Sequence, residues 1–180
     1  KEIDILDSAN ICMKNEWCSY FENDVLGRKQ SYELYLGGRD MNAMDSIFLP
    51  RFTIGENAFD AFHDEMGRYG KKVAVIHGER AWKAAREYVV PALEKAGLTI
   101  TTEWLYGHDA THENADKISN DPAVQEADML LAVGGGKCID TAKLAADHLG
   151  KPVFTAPSIA SNCAPVTQIS IMYHEDGSFC

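Results

Sequence analysis

The chain has 180 residues, of which 46% are hydrophobic, so it can bury one sizeable core with at most a second small unit. Acidic residues outnumber basic ones by 27 to 17, and the resulting net charge of -10 repels nucleic acid and anionic membrane surfaces. No apolar run approaches the roughly 20 residues of a membrane-spanning helix, so neither a nucleic acid nor a membrane is an expected partner.

Residues 1–40 follow neither helical nor strand periodicity, and we treat them as an unassigned leader before a single α/β domain over residues 41–180. The sequence begins at Lys1 rather than at Met, which is expected of a processed or partial product. Its five cysteines are an odd number, without a C-x-x-C pair and without a secretory signal. We therefore expect reduced thiols in a cytoplasmic protein.

From about Ile47 onward, short apolar runs alternate with amphipathic stretches, the pattern of strands and helices in a layered α/β fold. The pattern predicts strands at 72–77, 98–105, 129–133 and 152–156 and helices at 80–96, 111–120 and 137–149. A break is expected at Asp121-Pro122, and Gly150 is expected to end the last helix. The strand at 129–133 lacks polar alternation, which indicates a parallel sheet with helices on both faces.

Three glycines join the strand 129–133 to the helix that follows. Such a turn places unhindered backbone N–H groups at the positive end of the helix dipole, where phosphate binds, and any Cβ there would keep a pyrophosphate away. The P-loop pattern would need glycine at Leu131, and G-x-G-x-x-G would need glycine at Ile139, so neither motif fits. The alternative is a tight turn without a ligand. The predicted phosphate site consists of Gly134, Gly135, Gly136 and Lys137.

The segment Gly134 to Lys143 resembles the signature of the glycerol dehydrogenase branch of the iron-containing alcohol dehydrogenase superfamily. A second block, Pro157 to Pro165, follows at the spacing of that family, and residues 169–177 look like its next hairpin. The resemblance covers roughly residues 47–180. It implies a Rossmann-like parallel sheet flanked by helices, the nucleotide-binding domain of a two-domain dehydrogenase whose helical domain is missing.

The resemblance implies a dinucleotide cofactor, NAD or NADP, on the glycine turn. NAD-preferring members tend to carry an acid where this chain has Gly78, so the choice between the two cofactors stays open. Asp140 would brace the turn, the alternative being an ordinary helix-surface ion pair with Lys143. The further cofactor contacts that the resemblance implies are Ser158, Ser161, Thr167, Ile169 and Tyr173, the last three on the nicotinamide side.

Cys163 stands where glycerol-specific members carry an aspartate for the substrate hydroxyls. Relatives resembling hydroxycarboxylate dehydrogenases carry cysteine there, so the resemblance implies that Cys163 contacts the substrate and that the substrate is a small polyol or 2-hydroxy acid. The alternative for Cys163 is a buried structural thiol. A small molecule is therefore the expected partner, and homo-oligomerisation is left open.

The divalent metal of the family, zinc or iron, is held in the helical half, so the resemblance assigns neither a metal ligand nor a catalytic residue to this chain. We expect the chain to bind the dinucleotide without turnover and to expose an apolar surface that the helical half would cover.

His108 and His112 lie four apart, but exposed histidines beside a helix capped by Asp109 or Thr111 explain this spacing better than a metal site. Two alternatives remain, a non-catalytic nucleotide-binding module and a lyase resembling dehydroquinate synthase.

Overall fold

The computed structural model describes residues 53–178, and in this range the chain forms a parallel sheet flanked by helices. The leader proposed for residues 1–40 lies outside the described residues. The strands are β1 (Lys72–His77), β2 (Thr99–Leu105), β3 (Met129–Gly134) and β4 (Val153–Pro157). The helices are α1 (Phe62–Met66), α2 (Glu79–Lys95), α3 (His112–Ser119), α4 (Pro122–Glu126) and α5 (Gly136–Leu149), with short 3-10 turns at Ala58–Ala61 and Ala164–Val166.

All seven predicted strands and helices are confirmed, and none of their ends moves by more than one residue. The predicted break at Asp121-Pro122 starts the additional short helix α4, because the Asp121 side chain accepts hydrogen bonds from the N–H groups of Ala123 and Val124. Gly150 ends α5 as predicted, with a left-handed φ of 63° that glycine adopts without strain. Within residues 53–178, no helix is long and apolar enough to cross a bilayer.

The hairpin predicted over residues 169–177 shows its turn in the described residues. The Gly177 N–H donates to the carbonyl of His174 at 2.8 Å, and the His174 N–H donates to the carbonyl of Ser178 at 3.0 Å. Before this turn, Tyr173 forms an isolated parallel bridge with Thr111 that the sequence did not predict. The Tyr173 N–H donates to the carbonyl of Ala110 at 2.9 Å, and the His112 N–H donates to the carbonyl of Tyr173 at 3.0 Å.

The strand order is β2-β1-β3-β4, and every pairing in the sheet is parallel. The chain leaves β1 toward one edge to form β2 and then crosses to the other side of β1 to form β3. Parallel order aligns the carboxyl ends of the strands, with His77 opposite Val133 and Gly134 opposite Pro157. The crevice between the carboxyl ends of β1 and β3 is therefore the switch point at which open α/β sheets bind ligands.

Alternate residues of the strands face two apolar layers. Ala74 and Ile76 of β1 belong to the layer that contains α3 and α5, whereas Val73 and Val75 belong to the layer that contains α1 and α2. All four side chains are fully buried. Burial on both faces explains the lack of polar alternation in β3, and each buried aliphatic side chain contributes about 1.5–3 kcal/mol. Packing on both faces thus holds the carboxyl ends of the strands in place.

Candidate functional site

The three glycines lie at the carboxyl end of β3, next to the switch point. Gly134 is the last residue of β3, Gly135 is the N-cap of α5 and Gly136 is the first residue of that helix. The cap makes no side-chain hydrogen bond, so the first turn of a 14-residue helix presents its N–H groups without a capping oxygen. This geometry combines available donors with the positive end of the helix dipole, and it suits a phosphate.

The surroundings of the three glycines differ. A Cβ on Gly134 would lie 2.7 Å from the Cβ of Cys138, and a Cβ on Gly136 would lie 2.3 Å from Nδ2 of Asn162. At either distance, the neighbouring side-chain atoms would have to move to make room for the added carbon. A Cβ on Gly135 would meet only Cγ2 of Ile159, at an ordinary 3.5 Å, and the φ of -82° and ψ of -177° suit any residue. The buried Cys138 side chain thus explains Gly134, whereas the exposed Asn162 amide beside Gly136 could move aside. The space beside Gly135 remains open.

The second sequence block, Pro157 to Pro165, lies along the glycine turn. The Ser158 N–H donates to the carbonyl of Gly134 at 3.0 Å, Ile159 lies beside Gly135, and Asn162 lies beside Gly136. Oδ1 of Asn162 also accepts from the Ala164 N–H at 3.0 Å and so holds its own loop. The structure therefore brings the two sequence blocks together at one edge of the sheet.

Asp140 and Lys143 form the ion pair that the sequence offered as the alternative to a bracing role, but the pair is buried and not on the helix surface. Their charged atoms are 3.0 Å apart, and both residues are buried. The Lys143 ammonium donates to the carbonyls of Ala164, at 3.1 Å, and Thr167, at 3.2 Å, and also to that of Ile169. The pair therefore fastens the segment 164–169 to α5 rather than stabilising the turn.

Two predicted cofactor contacts, Thr167 and Ile169, lie in the segment 164–169, and a third, Tyr173, follows it. The Thr167 hydroxyl donates to the carbonyl of Cys163 at 3.0 Å, so its one hydrogen-bond donor is used within the local turn. Among residues 53–178, Ile169 is the most exposed of the large hydrophobic residues, at 70%, and Tyr173 is also exposed. Ser161, the remaining predicted contact, is exposed in the loop between β4 and this segment. The exposed side chains are accessible to a ligand.

The two cysteines in the described part of the chain have opposite environments. Cys163 is exposed at the start of the 3-10 turn 164–166, so the alternative of a buried structural thiol is wrong. Cys138 is buried beneath the glycine turn, 3.6 Å from the carbonyl oxygen of Ile76, and burial raises the pKa of its thiol. The accessible thiol is therefore the one at the position where the motif implies a substrate contact.

Asp109 is a residue that the sequence assigned only to capping. The structure gives the cap to Thr111, whose hydroxyl oxygen accepts from the Asn114 N–H at 3.2 Å. The carboxylate of Asp109 forms an ion pair with Lys137, and this hydrogen-bonded partner raises the pKa of the Lys137 ammonium. The two residues are 28 positions apart, and no sequence pattern connects them.

The carboxyl end of β1 forms the other side of the crevice. The Gly78 N–H donates to the carbonyl of Val133 at 3.0 Å, and a Cβ on Gly78 would make only ordinary contacts, the nearest at 3.7 Å to Tyr106. His77 stacks on Trp82 with ring centroids 5.3 Å apart, and burial lowers the pKa of its imidazole. Exposed Glu79 starts α2 next to Gly78.

His108 and His112 lie in different surroundings. His108 has a left-handed φ of 72° and lies near the ring of Tyr106, whereas His112 stacks on His174 with centroids 5.1 Å apart. Among residues 53–178, no group of three or more histidine, cysteine or acidic side chains could hold a metal ion. The described residues therefore do not fit a metal cofactor.

Comparison with known proteins gives consistent matches. The family model for iron-containing alcohol dehydrogenase matches residues 50–179. Glycerol dehydrogenase from Thermotoga maritima is 30% identical over 135 residues, which are 74% of this chain and 36% of that protein. Hydroxycarboxylate dehydrogenase A from Escherichia coli is 31% identical over 102 residues, 57% of this chain and 27% of that protein.

The same likeness holds for the fold. The crystal structure of glycerol dehydrogenase from Schizosaccharomyces pombe matches with a TM-score of 0.59 and 27% identity, over 68% of this chain and 31% of that chain. The crystal structure of an iron-containing alcohol dehydrogenase at 18% identity matches with a TM-score of 0.60. The chain spans about a third of the length of the curated relatives that it matches.

Proposed function

Because this chain belongs to the iron-containing alcohol dehydrogenase family, as its two sequence blocks predicted, we propose that it binds NAD or NADP for an oxidoreductase that acts on a CH–OH group. The observation that carries the proposal is the open space beside Gly135, at the uncapped N-terminus of α5 and at the switch point of the sheet. The family match favours this function over the lyase alternative.

In this proposal the pyrophosphate occupies the space beside Gly135. The N–H groups of the first turn of α5 donate to its oxygens, and the Lys137 ammonium supplies a positive charge on a strongly acidic chain. Ser158, hydrogen-bonded through its N–H to Gly134, keeps the second loop beside the same ligand. The residues present therefore fit the phosphate part of a dinucleotide.

The adenosine ribose would lie at the carboxyl end of β1. A carboxylate there holds the ribose hydroxyls of NAD, whereas an uncharged opening accepts the 2′-phosphate of NADP. Gly78 offers room and no charge, and Glu79 offers a carboxylate one residue later. The cofactor preference therefore depends on whether the Glu79 side chain turns toward the ribose. A Glu79→Gln variant that loses affinity for NAD⁺ but keeps its affinity for NADPH would assign that role to Glu79.

The nicotinamide would lie toward Thr167, Ile169 and Tyr173, with the Cys163 thiol on the substrate side. When bound, the nicotinamide supplies hydride chemistry, and these residues would orient its ring and shield it from water. The relatives include a glycerol dehydrogenase and a hydroxycarboxylate dehydrogenase, so the proposed substrate is a small polyol or a 2-hydroxy acid. A cysteine at position 163 favours the 2-hydroxy acid, because an aspartate there would repel its carboxylate.

Calorimetric titration of NAD⁺ and NADPH into the purified 180-residue chain tests the proposal. We expect saturable binding of at least one dinucleotide by the wild-type chain. Gly135→Ala should weaken it and Gly135→Val should weaken it further, by tenfold or more, because each added carbon occupies the pyrophosphate space while leaving the folded chain intact. A folded wild-type chain that binds neither dinucleotide, or a Gly135→Val variant that binds as tightly as the wild type, would contradict the proposal.

A further inference from the structure

The ion pair between Lys137 and Asp109 lies at the mouth of the proposed phosphate site. Lys137 is the second residue of α5, directly after the last of the three glycines. Its side chain is 62% exposed, and that of Asp109 is 65% exposed. The pair is therefore outside the core, and both side chains are accessible to a ligand that reaches the glycine turn.

The backbone of Asp109 is held in place by its neighbours. Gly107 and His108 both adopt left-handed φ values, of 95° and 72°, and thereby turn the chain sharply after β2. The Asn114 side chain packs against Gly107 and donates through Nδ2 to the carbonyl of Asp109 at 3.0 Å. A fixed loop thus presents the carboxylate to Lys137, whose own side chain is long and free to adopt other rotamers.

A carboxylate on Lys137 takes the place of a phosphate oxygen. Both groups are anionic oxygen acceptors, and the Lys137 ammonium donates hydrogen bonds to either and attracts either as a point charge. When Lys137 turns to a phosphate, the Asp109 carboxylate loses its partner and lies near a second negative charge. Both effects work against the ligand, since exposed ion pairs contribute modestly and like charges at close range repel.

We propose that Asp109 competes with the phosphates of the cofactor for Lys137 and thereby sets the affinity of the site for phosphate-bearing ligands. This inference rests on the proposed function, because it concerns the same glycine turn. An exposed pair corresponds to about 1.5- to 5-fold in a binding constant. Relief of the repulsion adds to this, so removal of the Asp109 charge should tighten phosphate binding about three- to tenfold.

The chain offers a matched control. Glu126 pairs with Lys72 at 2.6 Å, and its side chain is exposed to nearly the same extent as that of Asp109. Lys72 begins β1, so this pair lies at the amino edge of the sheet, opposite the glycine turn. Glu126→Gln and Asp109→Asn change the net charge equally, and only the second removes the proposed competitor.

The test is calorimetric titration of ADP and of adenosine into the wild-type chain and into Asp109→Asn, Lys137→Gln, the double variant and Glu126→Gln. ADP affinity should rise about three- to tenfold in Asp109→Asn, fall in Lys137→Gln and stay within twofold in Glu126→Gln. The gain from Asp109→Asn should shrink in the Lys137→Gln background. Adenosine, which lacks phosphate, should bind equally to Asp109→Asn and the wild type.

Each remaining outcome is decisive. If the wild-type chain binds ADP and Asp109→Asn binds it equally or more weakly, the inference is overturned and the proposed function stands. An equal gain for adenosine, or an equal gain in Glu126→Gln, overturns it as well, because neither depends on phosphate at Lys137. If no variant binds ADP although circular dichroism shows all of them folded, the proposed function fails and the inference fails with it.

Discussion

The Lys143 ammonium lies 3.0 Å from the Asp140 carboxylate inside the protein, where the two side chains are only 2% and 10% exposed. Both residues belong to the first three turns of α5, but the further partners of Lys143 are backbone carbonyls of the segment 164–169. A buried cation with this many acceptors connects the helix after the glycine turn to the segment that carries Thr167 and Ile169. The pair therefore links the two ends of the proposed cofactor site.

Replacing Lys143 with Met should lower the free energy of unfolding by about 3–5 kcal/mol, because Asp140 would then be a buried charge without its partner. The double variant Asp140→Asn, Lys143→Met should recover part of this loss. Urea denaturation measures both effects. Equal stability of the single variant and the wild type would show that the pair contributes nothing.

The same substitution should expose the segment 164–169 to proteolysis. Lys151→Met is the matched control, since the Lys151 ammonium also donates to several backbone carbonyls, at 3.2 Å to Val124 and 2.5 Å to Ala127, at the end of α4. Cleavage should increase within 164–169 only in Lys143→Met. Faster cleavage there in both variants would indicate general destabilisation instead of a local fastening.

The three glycines should differ in their tolerance of alanine. Gly134→Ala forces a contact below 3 Å with buried Cys138 and should cost about 1–3 kcal/mol. Gly136→Ala should cost less, because the exposed Asn162 amide can move aside, and Gly135→Ala should stay close to the wild type in stability. Thermal unfolding of the three variants measures the order. A Gly135→Ala variant that is the least stable of the three would contradict the packing described for this turn.

The thiols of Cys163 and Cys138 should differ in reactivity. Iodoacetamide should label Cys163 rapidly and leave Cys138 unmodified in the folded chain, because the first is exposed and burial raises the pKa of the second. Mass spectrometry of the two peptides gives both rates. Labelling of both in urea is the control, and comparable rates in the native chain would contradict the assigned burial.

The segment 159–173 should promote self-association of the isolated chain. Of the eight large hydrophobic residues that are exposed in the described part of the chain, five lie in this segment, namely Ile159, Val166, Ile169, Ile171 and Tyr173. Ile169→Lys should reduce concentration-dependent association without lowering the melting temperature, and Ile54→Lys, elsewhere on the surface, should not reduce it. Analytical ultracentrifugation distinguishes the cases, and unchanged association in Ile169→Lys would count against this segment as the cause.

The sequence predicted the sheet, its main helices and the glycine turn because these depend on local patterns. Strands buried on both faces show as unbroken apolar runs, and Gly150 stops a helix through its own φ. The roles of Asp109 and Lys143 depend on partners more than twenty residues away, and no local pattern records which residue a long side chain will reach.

The bridge between Tyr173 and Thr111 and the burial of Asp140 have the same cause. Residues 164–173 fold back over α5 and pair with the loop before α3, so their environment is set by tertiary contacts. The sequence also did not show the different surroundings of the three glycines, because Gly134 at the end of β3 meets Cys138 in the first turn of α5, whereas Gly136 meets Asn162 of a later loop. Side-chain contacts of this kind follow only from the assembled fold.

The most direct test of the central claim is a titration of NAD⁺ into the isotope-labelled chain, followed by amide chemical shifts. If the glycine turn holds the pyrophosphate, the largest changes should fall on the amides of residues 135–138 and on that of Ser158, and Gly135→Val should remove them. Saturable binding whose largest shifts lie away from the carboxyl ends of β1, β3 and β4, or no shifts in a folded chain, would contradict the claim that this turn is a dinucleotide site.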